Sequence, residues 1–257
     1  MIHLEERGYV GVLIIDRQER RNALSGALCV ELREKLDACG AMRAVVISGA
    51  GSAFCSGADL VTRFEEEPGG HSEHGGDTFR PAFERLLDSI VDLPVPVIAA
   101  INGPAIGAGM QLAVACDLRV AALGASLAIP GGRLGIHLSA KNIWRLALLV
   151  GQGAARDFLL AGRTVTAEEA VQLGLVQRLA EDAMAEALEL AGQIAGLAPL
   201  TVQGHKRSLN LAAEAQALGP DARAEIAGLE ARAFASDDLR EGMAAFAEKR
   251  SPTFGGR

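Results

Sequence analysis

The segment that most limits how this chain can fold is residues 94–117, PVPVIAAINGPAIGAGMQLAVACD. An apolar run from Val95 to Ile101, rich in Val and Ile and bounded by Pro and Gly, has the composition of a buried strand. A turn of small residues follows from Asn102 to Gly109, and then a helical run from Met110 to Ala115. Glycine and alanine keep side chains out of the way, so a ligand can approach the backbone closely. A turn that opens a helix also aims unpaired N–H groups and the positive end of the helix dipole at whatever lies above it. Those are the parts needed to hold a developing negative oxygen. Strand, glycine turn and helix also describe a dinucleotide-binding unit, or plain tight packing. The spacing disfavours the dinucleotide. Gly107-x-Gly109 is followed by Leu112, and Gly49-x-Gly51 by Phe54, where G-x-G-x-x-G needs its third glycine. No G-K-[S/T] follows a glycine run, which removes a phosphate loop.

With 257 residues and 49% hydrophobic content, the chain can bury a sizeable core. Its net charge of −7, without a basic block, and its single Trp and single Tyr argue against a nucleic-acid partner. No run approaches the length of a membrane span, and the acidic N-terminus does not read as a signal peptide, so a cytoplasmic location is expected. Cys29, Cys39, Cys55 and Cys116 lack C-x-x-C spacing and read as reduced, mostly buried thiols. The five histidines form no ligand pattern, so no metal is expected.

Along the chain, residues 8–16 and 44–48 read as strands, with a helix from Gly26 to Cys39 between them after an N-capping Ser25. The second strand ends in another small-residue corner, Gly49 to Leu60, which echoes the first. Residues 65–78, EEEPGGHSEHGGDT, read as a surface loop over a site. Pro81–Leu93, Ala140–Val150 and Gly153–Ala161 read as helices, and 118–122 and 126–129 as short strands. Thr166-Ala167-Glu168-Glu169 has the spacing of a capping box, and Leu175–Arg178 reads as a strand after Gly174. From Asp182 onward the pattern is helical, an appendage on an α/β body.

Six segments in order, Asp16-Arg17…Arg21-Asn22-Ala23-Leu24, Ala53–Leu60, Pro96–Gly103, Cys116–Arg119, Ala170…Val176 and Glu248–Phe254, resemble the enoyl-CoA hydratase/isomerase, or crotonase, family over essentially the whole chain. The resemblance implies an α/β crotonase-like (ClpP/crotonase) fold: a spiral of ββα units over residues 1–195 and a helical trimerisation region over 196–257. It implies a homotrimer or dimer of trimers, a coenzyme A thioester (acyl-CoA or enoyl-CoA) as substrate or ligand, and no further cofactor. By motif position, the N–H groups of Ala58 and Ala108 would form the oxyanion hole; the family usually has glycine at the second.

Hydratases of this family carry two glutamates that position water and move protons. Here those positions hold Gln111 and Gly131. An amide has no useful proton to exchange near neutral pH, and glycine has no side chain. Each general acid–base group contributes roughly 10²–10⁴-fold, so ordinary hydration loses its proton carriers. The pattern resembles a branch that binds fatty acyl-CoA without hydrating it; the alternative is an active enzyme of the family with a different proton carrier. Candidates for that carrier are His71, His74 and Asp77 on the polar loop, which also read as solvated loop residues, and His137, which with Lys141 also reads as surface. Asp59 reads better as an anion at a helix start than as a base, and Cys55 better as a packed small hydrophobe than as a nucleophile. Candidates for the coenzyme A moiety are Arg20, Arg21, Ala53 and Lys249. Phe246 and Phe254 would wall the acyl pocket or pack a subunit interface.

Overall fold

The computed structural model describes residues 1–60, 79–215 and 219–256. A six-stranded sheet has the order β1 (Ile2–Arg7), β2 (Val10–Ile15), β3 (Ala44–Gly49), β4 (Val97–Ile101), β6 (Leu118–Ala122) and β9 (Arg178–Ala180). A smaller sheet has the order β5 (Ala105–Ile106), β7 (Ser126–Ala128) and β8 (Thr164–Thr166). From β2 to β9 the large sheet is parallel; β1 pairs antiparallel with β2 at one edge. The chain winds as a spiral. After β4 it gives β5 to the second stack, and after β6 it gives β7. Isolated bridges Leu24↔Ala58 and Cys55↔Ala105 extend that stack to the turns that follow β2 and β3.

Both faces of the large sheet are covered, which is why its strands read as continuous apolar runs. Alternate residues divide between two cores. Leu13, Ile15, Val45, Ile47, Val97, Ala99 and Ile101 face the larger core. That core also takes Leu28, Leu32 and Leu36 of α1 (Gly26–Asp37) and Phe83, Leu86, Leu87 and Ile90 of α2 (Phe79–Asp92). Val10, Val12, Val46, Ile98 and Val120 face the other side, where Ala183, Ala187, Leu190 and Ala191 of α6 (Ala183–Ala195) pack on them. Small residues on α6 let it lie close to the β-branched surface of the sheet.

The central turn feeds α3 (Ala108–Ala115), which is two residues longer at its start than its sequence pattern implies. The two helices expected after β7 are one element, α4 (Ala140–Leu160), broken at Gly151, whose φ is +75°. α5 (Ala167–Gln172) has the expected capping box: Thr166 accepts from the Glu169 N–H, and Glu169 accepts from the Thr166 N–H. The strand expected over 175–178 does not form there. The N–H groups of Leu175 and Val176 both return to the Ala170 carbonyl, at 2.9 and 3.1 Å, so this pair wraps the helix end and packs in the core. Pairing starts only at Arg178.

Three further helices complete the described chain: α7 (Pro199–Ala215), α8 (Pro220–Phe234) and α9 (Asp237–Ala247). A buried lysine ties α7 to the sheet. Lys206 Nζ donates to the Ile90 and Val95 carbonyls and to Asp117 Oδ2, at 3.1, 3.0 and 2.8 Å. Among the described residues, no helix is long and apolar enough to cross a membrane.

Arg119, 1% exposed, ends α3 from below. Its guanidinium donates to the carbonyls of Ala113, Cys116 and Leu175 and to Gln177 Oε1. Replacing it by Met orphans several buried acceptors, each at a cost of about 1–3 kcal/mol. Calorimetry of Arg119→Met should therefore show a Tm lower by about 10 °C, at about 2–4 °C per kcal/mol for a chain of this size.

Candidate active site

Two neighbouring turns of the spiral, one after β3 and one after β4, lie side by side. Cys55 N–H donates to the Pro104 carbonyl at 3.1 Å, and Ile106 N–H donates to the Cys55 carbonyl at 2.9 Å. This short parallel ladder sets the register, and Ala58 and Ala108 each stand three residues beyond the bridged pair Cys55↔Ala105. On the far side of the first turn, Leu24 bonds to the Gly57 carbonyl and the Asp59 N–H, both at 2.8 Å. Parallel pairing of this kind engages the residues flanking Ala58 and turns the N–H of Ala58 the other way. Ala108 is the first residue of α3, where a helix has no partner of its own to offer an N–H. Among the described residues, neither N–H has a backbone acceptor.

The close approach depends on glycine. A Cβ on Gly109 would sit 2.3 Å from the Cys55 carbonyl oxygen, so no side chain fits there. Gly57 has φ +114°, a conformation nearly restricted to glycine, and its missing Cβ would point toward the Ile106 carbonyl and the Ala108 nitrogen. Asn22 holds the assembly from behind. It is fully buried in a left-handed conformation (φ 60°) and donates to the Ala50 and Ala53 carbonyls at 2.9 and 2.7 Å. Asn102 does the same from the other side, donating to the Gly51 carbonyl at 2.9 Å.

Ala58 and Ala108 open onto a cavity of about 520 Å³ that is mostly apolar, with walls that include Leu60, Phe79, Phe83, Ile129, Leu138 and Phe234. Arg20, Arg21, Gln111, Gly131, His137 and Phe246 also line it. Three other candidates do not. Ala53 is buried in its turn. Lys249 and Phe254 are carried away by the tail, which folds back on α9: Arg250 and the Thr253 N–H bind Glu241, and the Gly255 and Gly256 N–H groups bind Asp238. His71, His74 and Asp77 lie outside the described residues.

Gln111 is held by its neighbours. Its Oε1 accepts from Asn142 Nδ2 at 2.8 Å, and the same nitrogen donates to Glu84 Oε1 at 2.9 Å. Asn142 Oδ1 in turn accepts from Arg145, which is paired with Asp88, as is Lys141. Gly131 is closed to any side chain: a Cβ there would stand 2.6 Å from the Ile136 carbonyl oxygen. The backbone itself makes this turn tight, because the Gly131 carbonyl accepts from both Leu134 and Ile136. His137 Nδ1 lies 2.6 Å from the Leu138 carbonyl. Asp59, just before the helical Leu60, is paired with Arg17 at 2.7 Å, which does not suit a free base. Cys55 is buried, and burial pushes its thiol up to about 12, in keeping with a packing role.

Sequence patterns single out neither Glu84 nor Asn142, because each sits alone on an amphipathic helix, where a polar residue needs no special account. The same holds for Arg80 and Glu230, which pair across the cavity wall between α2 and α8.

A parallel spiral whose two small-residue turns border one mostly apolar cavity defines a class of spiral α/β folds. Residues 5–257 match the family model described as enoyl-CoA hydratase/isomerase, and the chain belongs to that family. Among curated relatives it is 38% identical to the probable enoyl-CoA hydratase echA6 of Mycobacterium leprae, over 100% of both chains. It is 37% identical to the putative enoyl-CoA hydratase/isomerase YngF of Bacillus subtilis, over 96% of this chain and 95% of the other. Among solved structures it superposes on an enoyl-CoA hydratase/isomerase from Pseudoalteromonas atlantica T6c with a TM-score of 0.83, 33% identity and 99% of each chain covered. Carnitinyl-CoA hydratase from Mycobacterium avium gives 0.84 at 32% identity, covering 100% of this chain and 98% of the other. The fold is the crotonase fold expected from the sequence.

Because the Ile136 carbonyl occupies the space, Gly131→Glu should distort the turn and lower stability by about 1–3 kcal/mol. Gln111→Glu, at a position already occupied by a side chain of the same size, should fold with a smaller loss. Denaturant unfolding of the two variants tests this order, and equal stabilities would contradict it.

Proposed function

We propose that this protein binds a fatty acyl-CoA thioester with its carbonyl oxygen between the N–H groups of Ala58 and Ala108, and that it lacks ordinary enoyl-CoA hydratase activity. The observation that carries this reading is the pair of backbone donors facing an apolar cavity in a chain whose Gly131 cannot accept a side chain. Two aligned N–H groups polarise a thioester carbonyl and stabilise the enolate form of the acyl group. The cavity wall of Leu60, Phe79, Phe83, Ile129 and Phe234 suits an alkyl chain, whose transfer from water contributes about 0.8 kcal/mol for each buried CH₂. Arg20 and Arg21 on the same wall supply positive charge for the phosphates of coenzyme A. Hydration needs a group that activates water and a group that delivers a proton, and neither Gln111 nor Gly131 can do either. The protein would act in fatty-acid metabolism as a homotrimer or dimer of trimers. Exposed Leu197, Leu200 and Leu209 on and beside α7 are available for subunit packing.

A second reading, an active family enzyme with another proton carrier, is favoured by one feature. The carboxylate of Glu84 stands on the cavity wall and is tied to Gln111 through Asn142.

Isothermal titration with saturated acyl-CoAs should show saturable binding, while trans-2-enoyl-CoAs should keep their conjugated-thioester absorbance. Robust loss of that absorbance would overturn the proposal. Ala108→Pro tests the donor, since proline is tolerated at the first position of a helix and replaces the N–H with a ring CH₂ that projects where the oxygen would sit. With folding confirmed by circular dichroism, this variant should bind acyl-CoA at least about tenfold more weakly, from the lost hydrogen bond together with the steric block.

A further inference from the structure

Among the described residues, the cavity beside Ala58 and Ala108 is lined by three carboxylates, Asp59, Glu84 and Glu230, and one imidazole, His137. Their partners separate them. Asp59 is 7% exposed and forms an ion pair with Arg17. Glu230 is equally buried and pairs with Arg80. In each of these two, a guanidinium already occupies a carboxylate oxygen. The Nδ1 of His137 is engaged with the Leu138 carbonyl, which leaves its Nε2 as the rival proton carrier in this cavity. Glu84 differs from the other two carboxylates. Among the described residues its hydrogen-bond partner is a neutral amide, Asn142 Nδ2 at 2.9 Å, which orients the carboxylate without cancelling its charge.

Asn142 is itself fixed. It is 4% exposed, its oxygen accepts from Arg145, and the two hydrogens of its Nδ2 are shared between Glu84 Oε1 and Gln111 Oε1. Two acceptors on one amide nitrogen must lie beside each other, so Glu84 sits next to the Gln111 side chain. Gln111 lies one helical turn after Ala108, on the same face of α3. The carboxylate and the N–H donors therefore face one cavity from adjoining walls. Phe79 and Phe83, on the same helix as Glu84, form the apolar wall beside it.

We propose that Glu84 is a catalytic base of this protein and that the reaction is proton transfer at the carbon next to the thioester carbonyl, not hydration. This rests on the reading that the thioester carbonyl is held by Ala58 and Ala108. The Glu84 carboxylate takes one proton from that carbon. The C–H electron pair becomes the carbon–carbon double bond of the enolate, and the carbonyl π pair moves to the oxygen, where the two N–H groups stabilise it. The protonated Glu84 exchanges its acid proton with solvent water and then returns a proton to the carbon, and the carbonyl re-forms. One carboxylate serves both directions, so neither Gln111 nor Gly131 is needed. Asn142, which donates to both Glu84 and Gln111, fixes where Glu84 points and acts as a positioning residue.

The test is solvent exchange. Purified protein is incubated in D₂O with a saturated medium-chain acyl-CoA, and deuterium gain next to the carbonyl is read by mass spectrometry. Titration calorimetry with the same acyl-CoA runs in parallel. The wild type should exchange the position well above the protein-free rate. Glu84→Gln keeps the acceptor oxygen for Asn142, and should bind acyl-CoA within about threefold of wild type while exchange falls at least about 10²-fold, the lower bound for loss of a general base. Asn142→Ala should slow exchange less than Glu84→Gln does, with acyl-CoA affinity preserved. Binding without exchange in the wild type would overturn the role of Glu84 and leave the acyl-CoA reading standing. Absence of binding would overturn both. Undiminished exchange in a folded Glu84→Gln would also overturn the role of Glu84.

Discussion

The site depends on a two-rung ladder between Cys55 and the segment Pro104–Ile106. Those hydrogen bonds lock two successive turns of the spiral in register, so that their third residues onward, Ala58 and Ala108, line the same cavity. Everything around the ladder serves the close approach. Gly109 yields to the Cys55 carbonyl, Gly57 takes a conformation other residues avoid, and Asn22 and Asn102 satisfy the carbonyls of the intervening turn. Donors set by the main chain cannot rotate away as side chains can. They therefore need little reorganisation when charge develops on a bound oxygen.

Farther out, the fold treats the two ends of α3 in opposite ways. Its N-terminus faces the cavity, where the helix dipole favours negative charge. At its C-terminus the buried Arg119 gathers the Ala113 and Cys116 carbonyls together with Leu175. A positive group belongs at that end for the same electrostatic reason. Lys206 and Asp117 then fix α7 near the start of β4, so the strand that delivers the central turn is held from both sides of the sheet.

The chemistry of the cavity is narrower than its family allows. Gly131 stands where the Ile136 carbonyl leaves no room for a side chain, and Gln111 is committed to Asn142. Around the two small-residue turns stand an apolar wall and a carboxylate, Glu84, without a cationic partner among the described residues. On the proposed function, this set holds an acyl thioester and moves a proton on its chain rather than adding water.

Residue order alone was enough for the two glycine-rich turns and the Thr166 capping box, which are local signals: an apolar run bounded by breakers, a capping spacing, a motif of small residues. The spiral fold and the places of Ala58, Ala108, Gln111 and Gly131 were expected from the resemblance of the ordered motifs to the family. Local patterns did not reveal β1, whose acidic, half-exposed alternation has meaning only as the antiparallel edge beside β2. They misplaced the strand at Leu175, because two N–H groups returning to one carbonyl leave no pattern in the chain. Nor could they select Glu84 from the other acidic residues. Its place follows from a contact across 58 positions with Asn142, and from the fact that Asp59 and Glu230 found arginines elsewhere in the fold. Backbone donors are written in the sequence as glycine and alanine at a turn. Which side chain shares their cavity is decided only when distant helices pack, because burial and pairing, not residue type, determine which carboxylate can act as a base.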